Sequence, residues 1–202
     1  MTKILLITAL VALLIYYISR RFMANKSSSP SYRELANRSY QQVEATNSMI
    51  QKITKVTMTN VIIGLVLFVL ILLLAMKFKI LLIALPISLY LLGQLFLLTN
   101  HVKATKNQQI WFNKQSQDVL LQRLNSPDLS FNLLRDVRQV KEVKAVQSNR
   151  GVLFGYYVLY TAQDKIFIPY LIQDNKDSNQ HFFDLINQHF KIEVETKLFP
   201  II

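Results

Sequence analysis

TMTNVIIGLVLFVLILLLAM, residues 57–76, and ILLIALPISLYLLGQLFLLTN, residues 80–100, are the two stretches that decide the fold. Residues 56–76 and residues 80–102 contain no Asp, Glu, Lys or Arg over 21 and 23 positions. About 20 apolar residues are enough for an α-helix to cross the hydrocarbon core of a bilayer. Because only Lys77-Phe78-Lys79 separates the two runs, they are predicted to form a tight antiparallel helical hairpin.

The composition agrees with a membrane protein. Hydrophobic residues make up 51% of the chain and charged residues only 17%, and the mean hydropathy is +0.26. Residues 56–76 and 80–100 contain no Asp, Glu, Lys, Arg or His, the side chains that mark proton relays and ion pathways, which argues against a pump or channel made by this chain alone. Gly64 and Gly93 are predicted to let helices approach closely, and Pro86 to kink the second hairpin helix.

A third apolar run, residues 4–19, lies between Lys3 and Arg20. Its 16 residues are slightly short for a span, but the flanking cations can snorkel and extend it. A cleavable signal peptide would require small residues at its end, whereas Tyr16-Tyr17 is found there. We therefore predict a retained first anchor, giving three transmembrane helices of which the last two form the hairpin.

Residues 22–55 are predicted to be an amphipathic helical segment. Ser31 stands three residues before Glu34, which is the spacing of a capping box at a helix start. Apolar and small residues then recur at spacings of four and three along residues 32–53. Such a helix would lie on the membrane or run directly into the second span, and docking on a partner helix is the alternative.

The net charge of +11 is concentrated beside the apolar runs, so it does not indicate nucleic-acid binding. Seven basic residues occur in residues 20–56, and Lys103, Lys106 and Lys114 follow the third span. The positive-inside rule therefore places residues 20–56 and the C-terminal region in the cytoplasm and the N-terminus outside. Lys77 and Lys79 oppose this bias. We predict an integral membrane protein with this orientation.

Residues 103–202 have the composition of a small α+β domain. Strands are predicted at residues 110–113, 118–124, the latter part of 137–146, 152–161 and 166–168, with turns at residues 126–128, 149–151 and 162–165. A helix follows, with an apolar face formed by Phe182, Leu185, Ile186, His189 and Phe190 and with Asp177 or Ser178 as its cap. The tail from Ile192 is predicted to be strand-like or loose.

The sequence VKAVQSNRGVLFGYYVLYTAQDKIFIPYLI (residues 143–172), followed by HFFDLINQHF (residues 181–190), resembles the end of a bacterial pleckstrin-homology-like domain. LLRDV (residues 133–137) resembles the family pattern before a central strand. The resemblance implies antiparallel strands closed by a C-terminal helix, often with a transmembrane hairpin just upstream. It implies a binding or scaffold role and names no ligand.

Candidate chemistry is sparse. The chain has no cysteine, and no glycine is placed for a nucleophile elbow or a phosphate loop. His181 has helical spacing to Asp177 and Asp184, but no third metal ligand is evident, so we predict no metal, cofactor or catalysis. His189 is expected to be packed on the apolar face and His101 to lie at the membrane interface.

One basic set is a weak candidate for contact with anionic lipid or with a partner, provided that its members share a face beside the bilayer. Its members are Arg135, Arg138, Lys141, Lys144 and Arg150. The alternative is a solvated face on which these basic residues are interleaved with Asp136 and Glu142. The hypothesis is a bacterial inner-membrane protein whose cytoplasmic domain, residues 103–202, serves as an interaction or assembly module for a protein partner of unknown identity. The alternative is an accessory subunit of a transporter or secretion complex that packs through its hairpin, residues 56–102, with residues 1–21 as a further anchor.

Overall fold

A computed structural model describes Tyr16 and residues 39–202, apart from residues 125, 150, 151, 163 and 174–176. The predicted capping box and, except for Tyr16, the predicted first span lie outside the described residues, and both stay predictions. The elements, in chain order, are a short strand, a helical hairpin, six further strands, a helix and a final strand.

The helical hairpin is confirmed. Helix α1 is Asn47–Ala75 and helix α2 is Leu85–Lys106, with a 3-10 helix at Lys79–Ala84 between them. Within the described part of the chain, Asn47–Ala75 and Lys79–Lys106 are long and apolar enough to cross a membrane. Thr46 caps α1 by accepting a hydrogen bond from the Met49 N–H at 3.3 Å.

Gly64 makes the close approach between α1 and α2 possible. A Cβ atom at Gly64 would lie 2.6 Å from the Leu91 Cβ and 3.3 Å from the Leu92 nitrogen. Gly93 does not serve helix packing as predicted, because its space is taken by the ring of Phe199, 2.8 Å from a Cβ placed there. Pro86 lies in the first turn of α2, where its missing N–H costs no helical hydrogen bond, and so it marks a start and not a kink.

The first sheet overturns part of the predicted helical segment. Strand β1, Tyr40–Val43, lies inside residues 32–53, which were expected to be helical. It pairs with β2 (Gln108–Asn113), which is followed in the antiparallel order β1-β2-β3-β4 by β3 (Asp118–Arg123) and β4 (Leu129–Asn132). The four-and-three spacing was misleading because β1 obtains its partners from a strand more than sixty residues later, which no local pattern reveals.

The second sheet has the order β7-β6-β5-β8. Strands β5 (Val137–Asn149), β6 (Val152–Thr161) and β7 (Lys165–Pro169) are antiparallel neighbours, as predicted. Strand β8, Glu193–Lys197, lies parallel to β5 at the opposite edge. A 3-10 turn at Tyr170–Ile172 follows β7.

Helix α3, Asp177–His189, confirms the predicted helix and most of its apolar face, because Phe182 and Ile186 are buried in the core and Leu185 and Phe190 pack against it. The buried residues are Asn179, Phe182, Phe183 and Ile186, whereas His189 is exposed. The prediction that His189 is packed was therefore wrong. The core between the two sheets and α3 includes Phe112, Leu121, Phe131, Val140, Leu159, Ile168 and Phe182.

The hairpin is an insertion within the first sheet. Strand β1 leads into α1 after three residues, α2 leads into β2 after one, and β1 and β2 pair with each other from Tyr40↔Asn113 to Val43↔Ile110. The α+β domain therefore does not begin at residue 103 as predicted. It also includes residues 40–43, and both feet of the hairpin are fixed to neighbouring strands.

Candidate functional site at the base of the hairpin

The base of the hairpin shares a hydrophobic cluster with the second sheet. Ile53 from α1 and Leu97 and Leu98 from α2 are buried together with Ala145, Phe154 and Leu171 from the sheet side, and none of the six exceeds 6% exposure. Burial of this kind contributes about 25 cal/mol for each Å² of apolar surface removed from water. The domain is therefore packed against the helices at their base and is not held by the two chain connections alone.

His101 lies in this junction, on α2, and is fully buried. Its Nε2 is 2.7 Å from the main-chain oxygen of Pro200, which assigns the proton to Nε2. Its ring lies 5.3 Å from the ring of Phe154 and 6.2 Å from that of Tyr156. His101 was expected only to lie at the membrane interface, and its contact with Pro200 was not predicted.

The segment after β8, residues 198–202, packs along α2. Asn100 Nδ2 donates to the main-chain oxygen of Ile202 at 3.1 Å, and the Ile202 N–H donates to Asn100 Oδ1 at 2.8 Å. The ring of Phe199 lies over Gly93, with its centroid 5.4 Å from that of the Tyr90 ring. We call residues 198–202 the tail segment.

Four exposed lysines lie on the two helices near the same base, and we call them the lysine collar. Lys52 and Lys55 are exposed on α1, and Lys103 and Lys106 are exposed on α2. Each pair is three residues apart, which places its two members on one side of their helix. Neither α1 nor α2 contains an acidic residue, so the collar is locally uncompensated along both helices.

The predicted basic set is mostly paired within the domain. Arg135 Nε lies 3.1 Å from Asp136 Oδ1, and Lys141 Nζ lies 2.8 Å from Glu195 Oε2. The hydrogen bond between Lys141 and Glu195 raises the pKa of the lysine and lowers the pKa of the glutamate, so both stay charged at neutral pH.

Lys144 and Arg138 complete the described members of that set. Lys144 Nζ lies 3.8 Å from Glu142 Oε2, and Arg138 is exposed on β5. Because side chains alternate along a strand, Lys141 and Lys144 point to opposite faces of β5. Arg150 lies outside the described residues. The described members therefore do not form a single basic face.

A polar cluster lies against the core where β5, β6 and the turn after β7 meet. The Tyr170 hydroxyl donates to Glu142 Oε1, and the Tyr157 ring lies 5.3 Å from the Tyr170 ring. Burial, followed by the charge of Glu142, raises the pKa of Tyr157 to about 12. Burial and the hydrogen bond to Glu142 raise the pKa of Tyr170 well above its usual value. Both phenols are neutral at physiological pH, so the cluster offers no phenolate base.

Gly155 makes room for this cluster. A Cβ atom at Gly155 would lie 2.7 Å from the Tyr170 ring and 2.7 Å from the Val143 main-chain oxygen. The cluster is therefore built into the packing of β6 against Tyr170.

No group of three His, Cys, Asp or Glu suited to a metal ion occurs among the described residues. His181 is exposed on α3, with its ring 6.1 Å from that of Phe112.

Sequence reasoning missed the contacts of Asn100, His101 and Phe199. The apolar character of FPII after a charged strand was a signal, but its partner on α2 is about 100 positions away. Comparison with protein-family models, curated proteins and solved structures finds no match to the chain.

Proposed function

We propose that this chain is an integral membrane protein in which the hairpin holds a cytoplasmic, pleckstrin-homology-like domain at the membrane surface as a non-catalytic interaction or assembly module. The observation that carries the proposal is the insertion of α1 and α2 between the paired strands β1 and β2. The two chain connections at the base of the hairpin and the shared cluster at Ile53, Leu98 and Phe154 hold the domain in one orientation.

The order of the elements supports the pleckstrin-homology-like assignment. Four consecutive antiparallel strands are followed by three more, β7 ends at Pro169, and α3 inserts Phe182 and Phe183 into the core. Two features depart from the resemblance. The hairpin lies after β1 and not ahead of the whole domain, and β8 adds a parallel strand beside β5.

The lysine collar supports the proposed orientation. Lys52, Lys55, Lys103 and Lys106 lie at the base, and Lys77 and Lys79 at the tip, so the base carries the larger basic excess. Lysines beside a membrane surface attract anionic headgroups at about 1 kcal/mol each. The collar therefore replaces the β5 residues as the favoured lipid contact. Reporter fusions after Ile202 and at Phe78 test the orientation, and an external reporter after Ile202 would overturn it.

The sheet edges are the surfaces on which we expect a protein partner. Phe167 on β7 is 37% exposed and Val194 on β8 is 53% exposed, and both strands are edges of the second sheet. An exposed edge has free main-chain groups that can pair with a strand from another protein.

The alternative, an accessory subunit that packs through the hairpin, is favoured by one observation. A groove of about 550 Å³ runs along α1 and is lined there entirely by apolar side chains. The α1 residues that line it are Leu65, Val66, Val69, Leu70, Leu73 and Leu74. A helix from another membrane protein would fit such a surface by van der Waals packing.

Site-specific photocrosslinking in native membranes distinguishes the two functions. A photoreactive residue at Phe167 or Val194 samples the sheet edges, and one at Val66 or Ile83 samples exposed positions on the hairpin. The module predicts protein adducts from the sheet positions and lipid adducts from the hairpin positions, with partners identified by mass spectrometry. Protein adducts from Val66 alone would instead establish the subunit function. If no position gave either a protein adduct or a lipid adduct, both functions would be contradicted.

A further inference from the structure

The tail segment reaches a level of α2 that belongs to the apolar part of the hairpin. Ile53 packs with Leu97 and Leu98, and Gly64 contacts Leu91 and Leu92, so the two helices run antiparallel with these layers as markers. Gly93, which the Phe199 ring covers, lies between the two layers.

The position of Gly93 relative to the charged boundary follows from helix geometry. Gly93 is four residues from Leu97 on α2, or about 6 Å further along the axis at 1.5 Å for each residue. Lys55 is the last charged residue of α1 before residues 56–76 and is two residues beyond Ile53. The Phe199 ring therefore lies beyond the level of Lys55, against an uncharged part of α2.

The tail segment itself has the chemistry of an interfacial anchor. Residues 198–202 read LFPII and contain no polar side chain, and Lys197 is the last charged residue before them. Leu198 is 56% exposed and Ile201 is 58% exposed, although Phe199 and Pro200 between them pack on α2. Apolar side chains of this size at the boundary of a bilayer gain about 0.8 kcal/mol for each methylene group buried in lipid.

We propose that the tail segment is a membrane anchor in which Leu198 and Ile201 insert among lipid acyl chains at the interface, while Asn100, His101 and Gly93 hold the segment on α2. The proposal rests on the proposed function, since it requires the hairpin to be in a bilayer. It adds a third attachment of the domain to the membrane, through β8 and its parallel partner β5. The second sheet is then tied to the bilayer independently of β1 and β2.

Depth-dependent fluorescence quenching in reconstituted vesicles tests the proposal. Because the chain contains no cysteine, L198C and I201C each give a single attachment site for an environment-sensitive fluorophore. Two matched labels set the scale: V66C on the exposed face of α1, and Q180C on the exposed surface of α3. Quenchers are phospholipids with a nitroxide at a shallow or a deep position of the acyl chain, together with aqueous iodide.

Anchoring predicts that labels at 198 and 201 are quenched at least threefold more by the shallow nitroxide than the label at 180, and are protected from iodide. The label at 66 should be quenched more by the deep nitroxide. If 66 is quenched but 198 and 201 behave like 180, the tail anchor is wrong while the inserted hairpin stands. If 66 also behaves like 180, the hairpin is not inserted and the proposed function fails.

A second measurement covers the case in which a label displaces the tail segment. L198E and I201E each place a charge at an exposed position without touching Gly93 or Asn100. In unlabelled protein reconstituted into vesicles, each of these changes should raise the rate of limited proteolysis after Lys197 at least fivefold. In a lipid-free detergent of low hydrophobicity, the rate should be the same in variant and parent protein. An equal rate in variant and parent protein in vesicles would overturn the anchor.

Discussion

Asn100 on α2 and Ile202 in the tail segment exchange two hydrogen bonds across 102 positions of sequence, at 3.1 Å and 2.8 Å. The side-chain amide acts as donor and acceptor at once, as one strand does for another. Next to this pair, His101 bonds the main-chain oxygen of Pro200 at 2.7 Å. Adjacent residues of one helix thus fix adjacent parts of the tail segment, which links the second sheet to the hairpin.

The first prediction concerns this pair. Replacing Asn100→Ala removes both hydrogen bonds and leaves the main-chain groups of Ile202 without them. Each bond contributes about 0.5–1.5 kcal/mol, so the free energy of unfolding should fall by about 1–3 kcal/mol. Thermal unfolding in mild detergent measures it. Thr99→Ala is the matched control, because the Thr99 hydroxyl bonds the Leu95 carbonyl of its own helix and not the described tail segment. Equal losses in the two variants would mean that the tail contact contributes nothing.

The second prediction concerns Gly93. Gly93→Ala forces the new methyl group against the Phe199 ring, and crowding of this kind typically costs about 1–3 kcal/mol. In a Phe199→Ala background the crowding disappears, and the same change should be neutral or stabilising, because alanine is preferred over glycine in helices by about 1 kcal/mol. A double-mutant cycle of thermal unfolding measures the coupling.

Gly64→Ala is the control for this cycle. Its methyl group would meet Leu91 and the backbone of α2, which Phe199→Ala does not relieve. The change should therefore be destabilising in both backgrounds. If Gly93→Ala is equally harmful with and without Phe199, the tail segment does not occupy this position.

The elements of the fold that depend on local pattern were predictable. The two apolar runs, the β5–β7 meander and α3 each follow from periodicity or from uninterrupted hydrophobicity. Strand β1 did not, since residues 40–43 read as YQQV and become a strand only by pairing with residues 110–113. The few apolar residues of this stretch would fit the apolar face of a helix equally well.

The candidate site was less predictable for a similar reason. Spacing along β5 placed Lys141 and Lys144 in one basic group, although a separation of three puts them on opposite faces of a strand. The acid that pairs with Lys141 could not be assigned in advance, because Glu195 comes from the parallel strand β8, whereas Glu142, which pairs with Lys144, is a near neighbour in the same strand. The collar lysines can be read from the sequence, but only the folded hairpin shows that Lys52 and Lys103 both lie at its base.

The third prediction concerns pH. The pKa of Tyr157 is raised to about 12, mainly by burial, against about 10 in an unfolded chain. The folded state therefore favours the neutral phenol. This contribution is fully present below pH 10 and is lost as the pH rises towards 12. Between pH 9 and pH 11.5 the free energy of unfolding should fall by about 2 kcal/mol more in the parent protein than in Tyr157→Phe.

Denaturant unfolding at the two pH values measures this difference. Tyr160→Phe is the control, since Tyr160 is a half-exposed tyrosine of the same strand. It should retain the full pH effect of the parent protein. A parent protein whose loss equals that of Tyr157→Phe would show that the buried phenol is not the source.

The fourth prediction separates the collar from the predicted basic set. Changing the collar lysines 52, 55, 103 and 106 to Gln should weaken the enrichment of phosphatidylglycerol around the reconstituted protein by about fivefold for each lysine at low salt. Changing Arg135, Arg138, Lys141 and Lys144 to Gln removes the same charge and should have little effect, because three of them are paired within the domain.

Native mass spectrometry of lipids retained from mixed nanodiscs measures the enrichment. The collar effect should shrink in 1 M salt, where the Debye length falls to about 3 Å. The reverse ranking of the two variants would return the lipid contact to β5.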